Sequence, residues 1–254
     1  MPGRRPVPPS VLPRVVVIGA MKCATSAVHS YLDAHPDISM SRTKELNFFN
    51  GPDLAPHDDA SSWWRTGQWH RGLDWYSSQF DPHAAVCGES SPAYTAPGSS
   101  EVPGRMASVV PDVRLVYLVR DPVERALSQY AHHSRDGTES RAVADALLDP
   151  DSQYVARSRY HERLQPFLSH FDPAQVHLVV QERLSSRRHE EVAALYRHVG
   201  VDPLWREERH GRRVHVGGAR PVVPGELRAA FMERVADDVE RLRQLVCDDL
   251  EEWR

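Results

Sequence analysis

The strongest constraint on the fold is the run Val15-Val16-Val17-Ile18, which ends in Gly19 and passes through AMKCATS into a segment with helical patterning. So short a run of apolar, mostly β-branched residues suits a strand covered on both faces rather than a buried helix. Thr25 or Ser26 can cap the helix, so the segment reads strand, loop, helix. Val113 to Val119 (VRLVYLV) repeats the pattern, with Asp121-Pro122 placed to open another helix. Gln175 to Gln181 and, more briefly, Ala85 to Gly88 add strand candidates, and helical patterns fall near 100–109, 122–133, 157–169 and 187–199. Strands alternating with helices predict an α/β protein, a P-loop-like three-layer fold with a central parallel β-sheet flanked by helices. From Gly225 onward, Leu227, Phe231, Val235, Val239, Leu242, Val246 and Leu250 predict one long amphipathic helix. Segments 50–72 and 203–224 have no clear period, and loops of that length tend to carry function or mobility.

The 254 residues, 41% of them apolar, suffice for one sizeable core. Residues 14–254 are therefore expected to form a single domain behind an extended or disordered leader, 1–13. A net charge of −4 argues against a nucleic-acid partner. Cys23, Cys87 and Cys247 are an odd set at wide spacing, which reads as neither a disulfide framework nor a zinc site. With no apolar run near ~18 residues and a proline-broken leader, the expectation is a cytoplasmic protein without a membrane partner. Of 31 basic residues only Lys22 and Lys44 are lysines, a skew that points to a GC-rich genome. Against that background a retained ammonium stands out, because a planar guanidinium cannot replace it everywhere.

A strand running into a glycine, then Lys22, Thr25 and Ser26 at a helix start, is an arrangement that binds phosphate through backbone N–H groups, hydroxyls and the helix end. An ordinary strand-to-helix turn with a solvated lysine fits the segment equally well. It departs from a Walker A loop, since Lys22 precedes the hydroxyls and the second glycine is missing. The second strand ends in Arg120, where a nucleotide triphosphatase often places a magnesium-holding aspartate, and this weakens metal-dependent phosphoryl transfer. Arg120 and Ser128, two helical turns on, suggest a second anion clamp; an Arg120–Glu124 ion pair with a surface serine is the plainer alternative.

Together these residues resemble the sulfotransferases that use 3′-phosphoadenosine 5′-phosphosulfate (PAPS), and among them the heparan sulfate type and its bacterial relatives. IGAMKCATSAVHSYLDAHPDI is similar to that family's 5′-phosphosulfate loop and helix, and RLVYLVRDPVERALSQY to its 3′-phosphate strand and helix. KELNFF, GLDWY, GESSPAY and RYHERLQPFL fall between and after them in the family's order, so that the resemblance runs from about Val15 to Arg220. It implies that Lys22, Ala24, Thr25 and Ser26 hold the 5′-phosphosulfate and that Arg120 and Ser128 hold the 3′-phosphate. Glu45 falls on the catalytic carboxylate, and Gly218 and Arg220 correspond in part to a late loop that closes over the nucleotide. Ser90 and Asn47 stand where some relatives carry lysine and histidine, departures that bear on the acceptor.

The implied reaction moves a sulfuryl group from PAPS to a hydroxyl of a small-molecule specialised metabolite or a glycan, leaving 3′,5′-ADP. Glu45 serves as general base and Lys22 neutralises the departing phosphate oxygen, with no metal required. Left to sequence position alone, Glu45 reads as a surface partner of Lys44 or Arg42. His29, His132 and His133 are rival bases, with His29 expected to be packed. Asn47, Trp69 and Tyr160 are candidate acceptor contacts, although a buried indole pin and a core tyrosine explain the last two as well. The alternatives are a small-molecule kinase using Mg-ATP and a nucleotide-binding module without catalysis.

Overall fold

The computed structural model describes residues 11–53, 67–207 and 221–253. Its centre is a sheet of β1 (Val15–Gly19), β2 (Ile38–Met40), β3 (Val86–Ser90), β4 (Arg114–Val119) and β5 (Val176–Val180), in the order β2-β3-β1-β4-β5. Every pairing is parallel, with Val16 opposite Glu89 and Gly19 opposite Tyr117. β1 and β3 bury every residue and β4 all but its first, as strands must when both faces of a sheet are covered. β2 escapes the sequence pattern because three residues show no period; its pairing with β3 holds it in place.

The covering helices are α1 (Thr25–Ala34), α2 (Gly72–Ser77), α3 (Val102–Val109), α4 (Pro122–Arg135), α5 (Val143–Leu148), α6 (Gln153–Ser158), α7 (Tyr160–Leu168), α8 (Gln181–Ser186), α9 (Arg188–Val199), α10 (Gly225–Glu233) and α11 (Ala236–Val246). α4 starts as its sequence predicts, with Asp121 accepting from the Glu124 N–H at 2.8 Å and Pro122 in the first position. The pattern at 157–169 is broken at Arg159, so α6 and α7 are separate. No helix among the described residues is long and apolar enough to cross a membrane.

The single C-terminal helix expected from the apolar spacing is instead two. Three-residue turns close at Arg234 and Val235, and the second helix ends at Val246, short of the predicted span through Leu250, with Cys247 in a left-handed conformation (φ 51°). The break lets α10 pack on α4 and α5 while α11 packs on α7. It also turns Asp238 toward the start of α7, where its carboxylate accepts from the His161 and Glu162 N–H groups at 2.9 and 2.8 Å.

The chain leaves β1 toward one edge of the sheet and leaves β4 toward the other. The C-terminal ends of these two neighbours therefore flank the point where connections reverse, where open parallel sheets form their crevice. Gly19 closes β1 at that point. A Cβ there would lie 2.1 Å from Thr95 Oγ1, so only glycine lets the turn after β3 (Pro92–Thr95) approach this closely.

Candidate active site

From Gly19 the chain enters a loop pinned at its start by the Ala20 N–H to Leu118 O bond of 2.8 Å. Lys22 and Ala24 then take left-handed conformations, φ 70° and 67°. Ala24, not a hydroxyl residue, occupies the cap position of α1, and neither Thr25 nor Ser26 caps the helix as the sequence suggested. The N–H groups of Lys22, Ala24, Thr25 and Ser26 donate to no acceptor among the described residues. Unused donors around a helix start, with a lysine beside them, make a concavity that favours an anion.

Arg120 follows β4 directly. Its guanidinium donates to the Lys22 carbonyl at 3.4 Å and lies 3.5 Å from Glu124, which Arg228 also engages at 2.9 Å. The ion pair that the sequence allows is thus present, and the same guanidinium still touches the loop that holds Lys22. Ser128 is half-buried on α4, and its hydroxyl bonds to no described residue. Tyr160 ties the two loops together from below: its hydroxyl donates to Arg120 O at 2.8 Å and lies 3.6 Å from Cys23 Sγ.

Glu45 sits on the third side, after β2. Its N–H donates to Ser90 O at 2.8 Å, its φ is 64°, and its exposed carboxylate meets Lys44 Nζ at 2.5 Å. Ser90 Oγ in turn lies 3.0 Å from His29 Nδ1 on α1. Among the described residues, non-glycine positive φ occurs at Lys22, Ala24, Glu45, Asn47, Cys247 and Leu250; the first four are positions the sequence singled out. Such conformations cost on the order of 1–3 kcal/mol each and persist where surrounding structure imposes them, which is common at functional sites.

The segment around Glu45 is imposed by a buried carboxylate. Glu89, fully enclosed on β3, accepts from Tyr76, Tyr94 and Ser91 hydroxyls at 2.6, 2.8 and 2.8 Å. Ser91 Oγ then accepts from the Asn47 N–H at 3.0 Å, and Tyr94 Oη from the Phe49 N–H at 3.5 Å. Burial pushes the Glu89 carboxyl above its ordinary pKa, and the three hydroxyls oppose the shift.

The charges of these elements act on one another. Burial lowers the Lys22 pKa, helped by Arg135 at the end of α4, while Asp136 and Glu45 work to raise it. His132 is lowered by burial and then by Lys22, and it also senses Glu45. His29 is lowered by burial and then by Lys44. Positions 22, 44, 45, 132 and 135 therefore share one electrostatic neighbourhood at the C-terminal edge of the sheet.

Of the three acceptor-contact candidates two are buried and one is half-buried. Tyr160 is wholly buried with its hydroxyl engaged, Asn47 is 3% exposed, and Trp69 is held between Phe48 (5.3 Å between centroids) and the Arg105 guanidinium (4.9 Å). Tyr160 and Asn47 are thus enclosed by internal packing, whereas Trp69 is half-buried. Gly218 and Arg220 lie outside the described residues, as do Trp63 and Trp64. Glu89 and the Ser90–His29 contact were missed in the sequence; the one available hint was the acid inside the hydroxyl-rich GESSPAY segment.

Two loops bearing Lys22 and Arg120 thus meet at the switch point of a parallel sheet, with the Glu45 carboxylate in the same electrostatic neighbourhood, a candidate site of the α/β class. Residues 54–207, more than half of the chain, match the model of the sulfotransferase family. A crystal structure of a sulfotransferase from Alicyclobacillus acidocaldarius superposes with a TM-score of 0.80 at 26% identity, covering 96% of this chain and 99% of that one. A bifunctional heparan sulfate N-deacetylase/N-sulfotransferase of Drosophila melanogaster is 26% identical over 79% of this chain and 21% of its own length. For the mouse heparan sulfate glucosamine 3-O-sulfotransferase 3A1 the values are 28%, 69% and 42%, so the chain spans less than half of these curated relatives. The chain belongs to the sulfotransferase family, whose sulfuryl donor is PAPS.

Proposed function

We propose that this chain transfers a sulfuryl group from PAPS to a hydroxyl of a small-molecule or glycan acceptor, in line and with Glu45 as general base. The acceptor oxygen bonds to sulfur as the bond between sulfur and the 5′-phosphate oxygen breaks. The hydroxyl proton passes to Glu45, and the charge released on the phosphate falls to the Lys22 ammonium and the free N–H groups of its loop. Lys44 holds the Glu45 carboxylate at 2.5 Å, so the acceptor hydroxyl must compete with that bond. Arg120 and Ser128 are the proposed 3′-phosphate clamp, and Thr25 and Ser26 add donors to the 5′ side. The heparan sulfate enzymes among the relatives support a glycan acceptor.

The observation that supports this reading is the contact of the Arg120 guanidinium with the Lys22 carbonyl at 3.4 Å, which joins the loops that carry the two proposed clamps. Calorimetry with 3′,5′-ADP and 5′-ADP tests it. The chain should bind 3′,5′-ADP more tightly by at least about tenfold, and Arg120→Ala should abolish the difference, since a charge-assisted clamp contributes roughly 1.5–3 kcal/mol. Equal affinity for the two nucleotides would remove the argument.

A further inference from the structure

The peptide that joins Arg120 to Asp121, where β4 ends, is gripped on both of its polar atoms. The Arg120 carbonyl accepts from the Tyr160 hydroxyl at 2.8 Å, and the Asp121 N–H donates to Glu182 Oε1 at 3.0 Å. The second bond follows from the sheet: Val119 pairs with Val180, which sets the start of α4 beside the start of α8, where Glu182 lies.

Both grips are backed by one side chain, 71 residues beyond Glu182 in the chain. Trp253, 6% exposed, donates its indole N–H to Glu182 Oε2 at 3.3 Å, and its ring centroid lies 5.8 Å from that of Tyr160. Glu182 thus spends one carboxylate oxygen on the Arg120–Asp121 peptide and the other on the indole. The turn that carries the indole is held in its own right. Leu250 lies in the core, and Arg183, next to Glu182, donates to Asp248 at 2.7 Å and to Glu252 at 2.6 Å. A guanidinium whose backbone is fixed loses less freedom when it binds an anion, so supporting contacts of this kind add to affinity without touching the ligand.

We propose that Trp253 is a positioning residue for the 3′-phosphate of the nucleotide: through Glu182 and Tyr160 it fixes the peptide from which the Arg120 side chain projects. The preference for a 3′-phosphorylated nucleotide then depends on an indole placed behind the clamp. The proposal rests on the assignment of Arg120 to the 3′-phosphate.

The test is calorimetry on the full chain as wild type, Trp253→Phe and Glu182→Ala, each titrated with 3′,5′-ADP and with 5′-ADP. Trp253→Phe keeps an aromatic ring and removes the N–H; Glu182→Ala removes the acceptor of the Asp121 N–H. In both variants the ratio of the two affinities should fall by about fivefold, the worth of one hydrogen bond, while 5′-ADP binds as it does to the wild type. A residue that served stability alone would weaken the two nucleotides equally or lower the melting temperature with the ratio intact. Either of those results overturns the proposal, as does a wild-type ratio in Trp253→Phe whatever Glu182→Ala does. Should Glu182→Ala fail to fold, Trp253→Phe alone decides. An absent preference for 3′,5′-ADP in the wild type would instead remove the assignment of Arg120 on which the proposal rests.

Discussion

A carboxylate in the core is tolerable only when its lone pairs are occupied, and Glu89 meets that condition with three hydroxyl donors. In Glu89→Gln the amide NH2 would face hydroxyls that now donate, leaving at least one donor without an acceptor. The expected cost is roughly 1–3 kcal/mol in a urea melt. Turnover should fall as well, because Ser91 and Tyr94 hold the Asn47 and Phe49 N–H groups next to Glu45. An unchanged midpoint would show that the carboxylate charge is not needed there. At Glu45 itself, replacement by glutamine should preserve 3′,5′-ADP affinity and lower kcat by roughly 10²- to 10⁴-fold. Lys22→Ala should weaken nucleotide binding and turnover together. Near-normal turnover in Glu45→Gln would assign the proton to another group, with His29 and His132 the nearest rivals in charge environment.

Among the elements, the division of the C-terminal segment into α10 and α11 shows what periodicity conveys and what it omits. The apolar spacing correctly marks which residues are buried: Leu227, Phe231, Val235, Val239, Leu242 and Leu250 all lie in the core. It does not show that the stripe must turn at Arg234–Val235 to serve two separate surfaces. The turn also positions Asp238, which satisfies two of the N–H groups that α7 would otherwise leave without partners. Asp238→Ala should therefore cost about 0.5–2 kcal/mol of stability by thermal melt. Because α7 opens with Tyr160, whose hydroxyl holds the Arg120 carbonyl, 3′,5′-ADP should also bind more weakly. A variant with normal stability would mean that water replaces the cap at no loss.

For the molecule as a whole, the far edge of the sheet sets an acid limit. His177 on β5 stacks on His198 of α9 with 5.2 Å between ring centroids, and its Nε2 is enclosed without a described partner. Burial, then the His198 and Arg197 charges, lower its pKa from 6.5 to about 4, and burial lowers His198 too. Both rings are neutral in the fold and gain protons on unfolding, so stability is full above pH 6.5 and declines as pH falls toward about 4. The urea midpoint should drop between pH 7 and pH 5, and His177→Phe should reduce that drop; an equal drop in the variant would place the sensitivity elsewhere. The alternation of strands and helices, the glycine at the end of β1 and the Asp121 cap were all legible in the sequence, because each is a local conflict or preference that neighbouring residues settle among themselves. So was the pairing of Lys22 with Arg120 as candidate anion clamps, since both sit where strands end. The three-residue β2, the break between the last helices and the burial of Tyr160 and Asn47 were not, because they are settled by contacts between residues far apart in the chain. The same holds for Arg125: a sequence shows that a charge exists, but only packing buries it among the neutral acceptors Ser158, Gln129 and the Tyr154 carbonyl.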